Sequence, residues 1–365
     1  MKFGAMIAAK MGDWKLICEL EQLGFDAVWV ADSHMIWSDC YSVLALAAQN
    51  TTHIKLGTGV TNAATRIAPV TAHAIATINQ IAPGRTFLGM GTGFSSMCLM
   101  GQEPVKVGPF RDYLRVVRTL LRGEEVEYEL NGKRRTIRFL DTELGFTNTK
   151  SPIPIYVAAN GPLALKAAGA YADGCIAVND SITARDEALF AQRRTFLEAG
   201  AASVGRELPT DFQTVSGSHS CVLRPGETLA SERVVDQIGA TVTANTLHAW
   251  WELSQRTASR DFIPGELADV WENYLAYVER MDIAPDKRYL RVHRGHATYL
   301  PPEEREFVTP ALIRAAGGLV GESDELIERI RVRERAGLKQ ITIMPAVDRA
   351  RESFREFSEH VISRY

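Results

Sequence analysis

Asp32, Ser33, His34 and Trp37 fall close together, directly after the unbroken apolar run Ala27 to Ala31. A carboxylate beside an imidazole can move protons. Histidine titrates near ~6.5, and an acidic neighbour orients the ring and favours its cation. The plain alternative is a surface histidine capped by Asp32. Other apolar runs end in glycines and small polar residues: Gly57-Thr58-Gly59-Val60-Thr61-Asn62, then Gly89, Gly91-Thr92-Gly93, then Ala158-Ala159-Asn160-Gly161-Pro162. Glycine lets backbone approach a flat or phosphorylated ligand. Asn160-Gly161-Pro162 opens a helical pattern, whose free N–H groups and dipole suit an anion. Any one of these could be a tight turn. Their recurrence at one face points to a ligand. His219 and Cys221 lie near the end of a later run. His53 precedes a strand pattern and His73 sits inside a helical one, so both read as structural. His293 and His296, in RVHRGH, read as a solvated loop. No GxxxxGK[ST], HExxH, GxSxG or early HxH appears, and the scattered cysteines include no CxxC, so no metal site is expected.

These residues meet only if the ends of separate runs are brought to one face. Strand patterns cover Phe3 to Ala8, Ala27 to Ala31, Ile54 to Gly57, Thr86 to Met90, Ile155 to Ala158, Gly174 to Val178, part of Phe212 to Leu223, and Gln340 to Met344. Helical patterns lie between them, among them Trp14 to Leu23, Tyr41 to Gln49, Val70 to Ile81, Phe110 to Leu121, Pro162 to Tyr171, Ala184 to Ala201, Asp324 to Ala336 and Ala350 to Ser363. Strands that are apolar throughout, each followed by a helix, imply a parallel sheet covered by helices. Their number predicts an α/β fold, a (β/α)8 TIM barrel with insertions, whose chemistry sits at the carboxyl ends of the strands. An open doubly wound sheet is the alternative. Its GxGxxG mark fails, because Phe94 and Ser95 follow Gly89, Gly91 and Gly93. A bare barrel needs ~250 residues, and this chain has 365. Two stretches break the cadence. One, about 124–152, is a predicted β-hairpin turning at Asn131-Gly132. The other, about 224–321, is mostly helical, carries Trp250, Trp251 and Trp271, and reads as a lid or substrate region. The expectation is a single barrel domain over 1–365.

Composition narrows the function. The 41 Lys+Arg against 44 Asp+Glu leave a net charge of -3, so no basic excess invites nucleic acid. No run approaches the ~20 apolar residues of a membrane span, and the apolar run at the start stops at Lys10 without the form of a signal peptide. The five cysteines are odd in number and scattered, which fits a reducing, cytoplasmic setting.

The stretch LGFDAVWVADSHMIWSDCYSVLALAAQNTTHIKLGTGVTNAATR, followed by TAHAIATINQIAPGRTFLGMGTG and IPIYVAANGP, resembles the luciferase-like superfamily of flavin- and deazaflavin-dependent oxidoreductases. The pattern is that of its methylene-tetrahydromethanopterin reductase branch. The resemblance runs from Met1 to about Asp180 and resumes over Gly321 to Pro345. It implies a barrel rim that binds a tricyclic redox ring, with a cis peptide at Gly59–Val60 behind the ring. It assigns cofactor contacts to Gly59, Val60, Thr61, Asn62, Gly91, Thr92, Gly93, Ala159, Asn160, Gly161 and Pro162. Asp32 and His34 become the proton-transfer pair. Trp37 and Phe94 belong to the substrate face, and His219 joins them from its strand-end position. Phe94 stands where the deazaflavin-dependent members commonly carry an acid. An apolar residue there would exclude water, which suits oxygen chemistry. The expected function is therefore a monooxygenase using reduced FMN and O2 on a small organic substrate, with a flavin reductase as partner. The alternative is a coenzyme F420-dependent oxidoreductase that transfers a hydride, and the third is a non-catalytic flavin-binding protein. The resemblance also implies a homodimer formed through barrel helices.

Overall fold

In the computed structural model eight parallel strands close a barrel. They are β1 (Lys2–Ile7), β2 (Ala27–Val30), β3 (Lys55–Thr58), β4 (Thr86–Gly91), β5 (Ile155–Ala158), β6 (Gly174–Val178), β7 (Gln213–Ser218) and β8 (Gln340–Ile343). The structure describes residues 1–8, 10–178 and 187–365. Each strand pairs with its sequence neighbour, β1 pairs with β8, and β3 pairs with β4. The fold is a (β/α)8 TIM barrel.

The strands are apolar throughout because both of their faces are buried. On β2, Val28 and Val30 point outward into the layer under the helices, and Ala27 and Trp29 point into the barrel. On β4, Leu88 and Met90 point outward and Phe87 inward. Trp29, Phe87 and Tyr156 fill the interior, with ring centroids 4.5–5.4 Å apart. The helices that follow bury one stripe each. Helix Trp14–Gln22 buries Leu16, Ile17 and Leu20 and is followed by Gly24 at φ +82°, a turn an L side chain resists. Helix Ala68–Ile81 starts with Pro69 in its first turn, and helix Pro162–Tyr171 starts with Pro162 itself.

The excursions follow their local sequence. Val126–Leu130 and Lys133–Ile137 form an antiparallel hairpin. Its turn residues Asn131 and Gly132 both have positive φ, +53° and +74°, as a type I′ turn requires. The second excursion leaves after Ser220–Val222 and returns at Leu319–Gly321, and these two short strands pair in parallel. Between them run helices Glu232–Thr243, Ala249–Ser254, Ala268–Glu279 and Pro310–Ala316, with a π-helical turn at Ala244–His248. They enclose a hydrophobic core of their own around Trp251, Trp271, Tyr274, Phe307 and Leu312. Trp250 is only partly buried and packs edge-on to Trp271 at 6.2 Å. An ionic latch ties this layer to the barrel's last helix, Ala350–His360. Arg233 donates to Glu227, to Glu356 and to the Val222 carbonyl, while Arg224 donates to Glu356.

Three details differ from the sequence reading. The segment Phe212 to Leu223 holds two strands, broken at His219, because Gln213–Ser218 closes the barrel and Ser220–Val222 pairs with the returning chain. The last helix stops at His360, and a 3-10 turn, Ile362–Arg364, follows it. The helix expected from Ala184 is seen over Glu187–Ala202, and Ala184 lies outside the described residues. No helix among the described residues is long and apolar enough to cross a membrane.

Candidate active site

Asp32 lies just past the end of β2 and is 4% exposed. Such a buried carboxylate must be paired. Its Oδ2 accepts from Thr61 Oγ1 and from Arg66 Nη1, both at 2.6 Å. Its Oδ1 stands 3.6 Å from His34 Nε2. Arg66 reaches Asp39 Oδ2 with its other arm, also at 2.6 Å, and lies over the Tyr41 ring. Burial opposes the Arg66 charge, but the charge and hydrogen bond of Asp32, together with Cys40 and Tyr41, raise the guanidinium well above its ordinary pKa. The result is a fixed cation that holds one carboxylate oxygen and leaves the other for His34. The His34 side chain is a quarter exposed, and its Nδ1 is buried without a hydrogen-bond partner among the described residues.

Beside this pair the rim is bare backbone. The Gly59–Val60 peptide is cis, as the resemblance implied. A Cβ on Gly59 would stand 2.5 Å from Trp29, and one on Gly89 would stand 2.1 Å from the Thr58 carbonyl oxygen. A Cβ on Gly91 would meet Val60 at 3.1 Å and Ala158 at 3.4 Å. Glycines therefore let β2, β3, β4 and β5 converge on a shallow apolar floor of Val60 and Ala158. Across it, helix Pro162–Tyr171 begins without a side-chain cap, and Asn160, Gly161 and Pro162 are exposed, with open space around Gly161. Among the described residues its first N–H groups have no side-chain cap, and such groups suit an anion.

Several expected contacts have other duties. Thr61 spends its hydroxyl on Asp32. Asn62 is 1% exposed, its Oδ1 accepting from the backbone of Ala64 and Thr65 and its Nδ2 donating to Ser96. It builds the loop, and its side chain is buried there. Ala159 packs its methyl into the outer core and spends both its backbone groups, donating to Ile176 and accepting from Arg193. At this strand end Asn160 and Gly161 are the exposed residues. Thr92 and Gly93 remain partly exposed, with Gly93 at φ +85°. His219 is 1% exposed and packs against Gly318, in the break where the chain leaves the barrel, so it does not face the rim's open side. Phe94 is not a plain apolar wall, because the Arg256 guanidinium lies over its ring at 5.3 Å. Trp37 donates from Nε1 to Thr298 Oγ1 at 3.2 Å. Trp37 and Phe94 are thus where the helical excursion touches the rim.

The sequence reading missed a third group. His293 is buried, not solvated, and its Nε2 donates to Glu252 Oε1 at 2.8 Å. His248 Nε2 meets Glu304 Oε2 at 2.9 Å, and both are 1% exposed. His296 lies near both, its ring 5.4 Å from His293 and 6.2 Å from His248. Burial lowers the pKa of His293, and burial with the two neighbouring imidazoles lowers that of His296 well below its ordinary value. The spacing of RVHRGH alone carries no such signal, since His248 comes from a distant helix.

The chain was compared with known proteins. It is 37% identical over 191 residues to 5,10-methylenetetrahydromethanopterin reductase of Methanolobus tindarius, covering 51% of this chain and 54% of that protein. It is 34% identical over 205 residues to the F420-dependent hydroxymycolic acid dehydrogenase of Mycobacterium tuberculosis, covering 52% and 53%. The matches thus span little more than half the length of these curated relatives. The solved structure of coenzyme F420 dependent tetrahydromethanopterin reductase from Methanopyrus kandleri superposes over 100% of this chain and 99% of its own, with a TM-score of 0.67 at 21% identity. That likeness speaks for the fold. The luciferase-like monooxygenase profile matches residues 15–340. With this barrel, this rim and that match, the chain belongs to the luciferase-like monooxygenase family.

Proposed function

We propose that the protein is an oxidoreductase that transfers a hydride between coenzyme F420 and a small organic substrate, with His34 moving the accompanying proton. The observation that carries this reading is the His34–Asp32 pair. One imidazole nitrogen faces a carboxylate 3.6 Å away, and the other is buried beside the rim without a hydrogen-bond partner among the described residues. A bound deazaflavin would supply a two-electron hydride centre. The rim suits such a group: the glycine-lined floor of Val60 and Ala158 is apolar, and the uncapped helix at Gly161 suits a phosphate. Arg66 and Thr61 fix Asp32, Asp32 orients His34, and His34 gives or takes the proton. The hydroxymycolic acid dehydrogenase named above is F420-dependent, which supports this cofactor over FMN. The order of the two sequence readings is therefore reversed.

The second reading, a monooxygenase using reduced FMN with a flavin reductase as partner, is supported by the family's description. It loses one of its supports, because a guanidinium over Phe94 brings a charge and its water where a dry wall was expected. In our reading 1–365 works as one unit, the hairpin at 124–152 and the helical part at 224–321 being excursions from a single barrel, and the latter caps the substrate. The chain pairs with a second copy through the exposed apolar residues Leu140, Leu144 and Phe146, and works in the cytoplasm, where five unpaired cysteines persist. Anaerobic titration of the pure protein with F420 and with FMN, followed by absorbance, tests the cofactor. F420 binding with oxygen-independent turnover is expected. Tight FMN binding with oxygen consumption would replace this reading by the second.

A further inference from the structure

We propose that His248, His293 and His296 form a binding site for a divalent transition-metal ion of the zinc class, with Glu304 and Glu252 as its outer carboxylates. One ring nitrogen from each histidine lies within 4.8 Å of the other two. Hydrogen bonding leaves Nδ1 as the nitrogen available on His248 and His293. Glu304 and Glu252 engage Nε2 of His248 and His293. A carboxylate is an acceptor, so each of these rings places its proton on Nε2 and a neutral ring then has a bare lone pair at Nδ1. The Nδ1 atoms of all three histidines are buried and without a hydrogen-bond partner among the described residues. His296 can donate from Nδ1 to at most one of the other two, so hydrogen bonds within the trio cannot satisfy it. Buried lone pairs are costly when unmatched. An electron-pair acceptor held between them removes that cost.

The surroundings are those of a metal site. Histidine ligands commonly donate their other ring N–H to a carboxylate, which sets the tautomer and raises the basicity of the ligating nitrogen. Two of the three rings have that partner. Three imidazoles suit zinc and leave a fourth position for water or a substrate atom. Nitrogens on a tetrahedral ion, each ~2.0–2.1 Å from it, stand roughly 3.3–3.4 Å apart, so the trio, within 4.8 Å of one another, must draw in by up to roughly 1.5 Å. The backbone delivers the ligands by special geometry. His248 ends the π-helical turn Ala244–His248, a form often met at functional sites. His296 sits between Gly295 and Ala297, both with positive φ, +75° and +48°. The site lies against the rim: the Trp37 ring is 6.3 Å from His296, and Arg256 joins Glu252 to Phe94. The trio is therefore a neighbour of the rim residues Trp37 and Phe94.

The test uses the full-length protein, stripped with a chelator and then titrated with zinc chloride by calorimetry, with bound metal counted by mass spectrometry. A single equivalent is expected, with a rise in Tm on binding. Cobalt(II) in its place should give the visible bands of a tetrahedral nitrogen site without thiolate charge transfer. His296→Asn, at a partly exposed position, should weaken binding at least ~10-fold, and Glu304→Gln by roughly 10–100-fold. If a variant fails to fold, the cobalt spectrum of the unaltered protein still decides. No stoichiometric zinc uptake, equal uptake by a folded His296→Asn protein, or a cobalt spectrum showing thiolate ligation would overturn the assignment.

Discussion

At the barrel rim Gly57, Gly59, Gly89 and Gly91 leave backbone bare against Trp29, Phe87 and Val60, whereas the helical excursion buries His248, His293, Glu252 and Glu304 among its aromatic residues. The first region keeps its shape because strand pairing fixes every main-chain atom, and side chains there would only obstruct. The second has no sheet to hold it and places its polar groups by helix packing around Trp271 and Tyr274. The rim suits a broad, flat ligand whose recognition is mostly main chain. The excursion suits a small ion or polar group held by side chains. They meet at Trp37–Thr298 and at Phe94–Arg256, so a substrate would be enclosed by both.

The comparison can be broken in four places. His34→Ala should lower kcat by ~10²–10⁴-fold, with F420 affinity and Tm little changed; steady-state kinetics and binding titration check this. Loss of folding instead would make His34 a structural residue of the rim. Trp271→Ala, which empties the centre of the excursion's core, should cost about 3–5 kcal/mol. Hydrogen exchange should then show protection lost in Glu232–Thr243 and Ala268–Glu279 and retained in β1 and β2. Equal loss in both regions would mean that the two cores unfold as one.

Gly89→Ala should cost about 1–3 kcal/mol, because its Cβ would stand 2.1 Å from the Thr58 carbonyl oxygen. It should also weaken cofactor binding, since the rim must shift to admit the methyl; Tm and titration measure the two effects. The latch gives the smallest effect. The hydrogen bond from Arg233 is the main reason that Glu227 titrates at about 2 instead of 4.5. A carboxylate with a lowered folded pKa stabilises the fold fully above pH 4.5, and that stability is lost as pH falls from 4.5 towards 2. Arg233→Met should remove this acid-sensitive part. At a site this close to solvent the change should be ~1 kcal/mol or less, read as a flatter Tm against pH over that range.

Much of the barrel was legible in advance, for reasons that individual elements show. Ile155–Ala158, Pro162–Tyr171 and Gly174–Val178 occur where their patterns place them, because a fully buried strand and a proline-started helix each leave a local mark. Asn131-Gly132 marks its hairpin turn for the same reason. The site was legible only in outline. Asp32 and His34 are near in sequence, so their pairing could be read. The Arg66 that fixes Asp32 comes from after β3, and nothing in its own neighbourhood announces that duty. Asn62 and Ala159 stand at the rim as expected, yet the first is consumed by its loop and the second by Ile176 and Arg193.

The sequence by itself determined the eight-strand cadence, the glycines at successive strand ends and the place of the Asp32–His34 pair, because strand burial, turn chemistry and adjacency act over a few residues. Only the tertiary structure decided that His248 meets His293 and His296, that Arg256 covers Phe94, and that His219 is walled in by Gly318. Those contacts join residues tens to more than a hundred positions apart. They depend on how helices pack, and packing is set by the shape of the whole core, which no local pattern encodes.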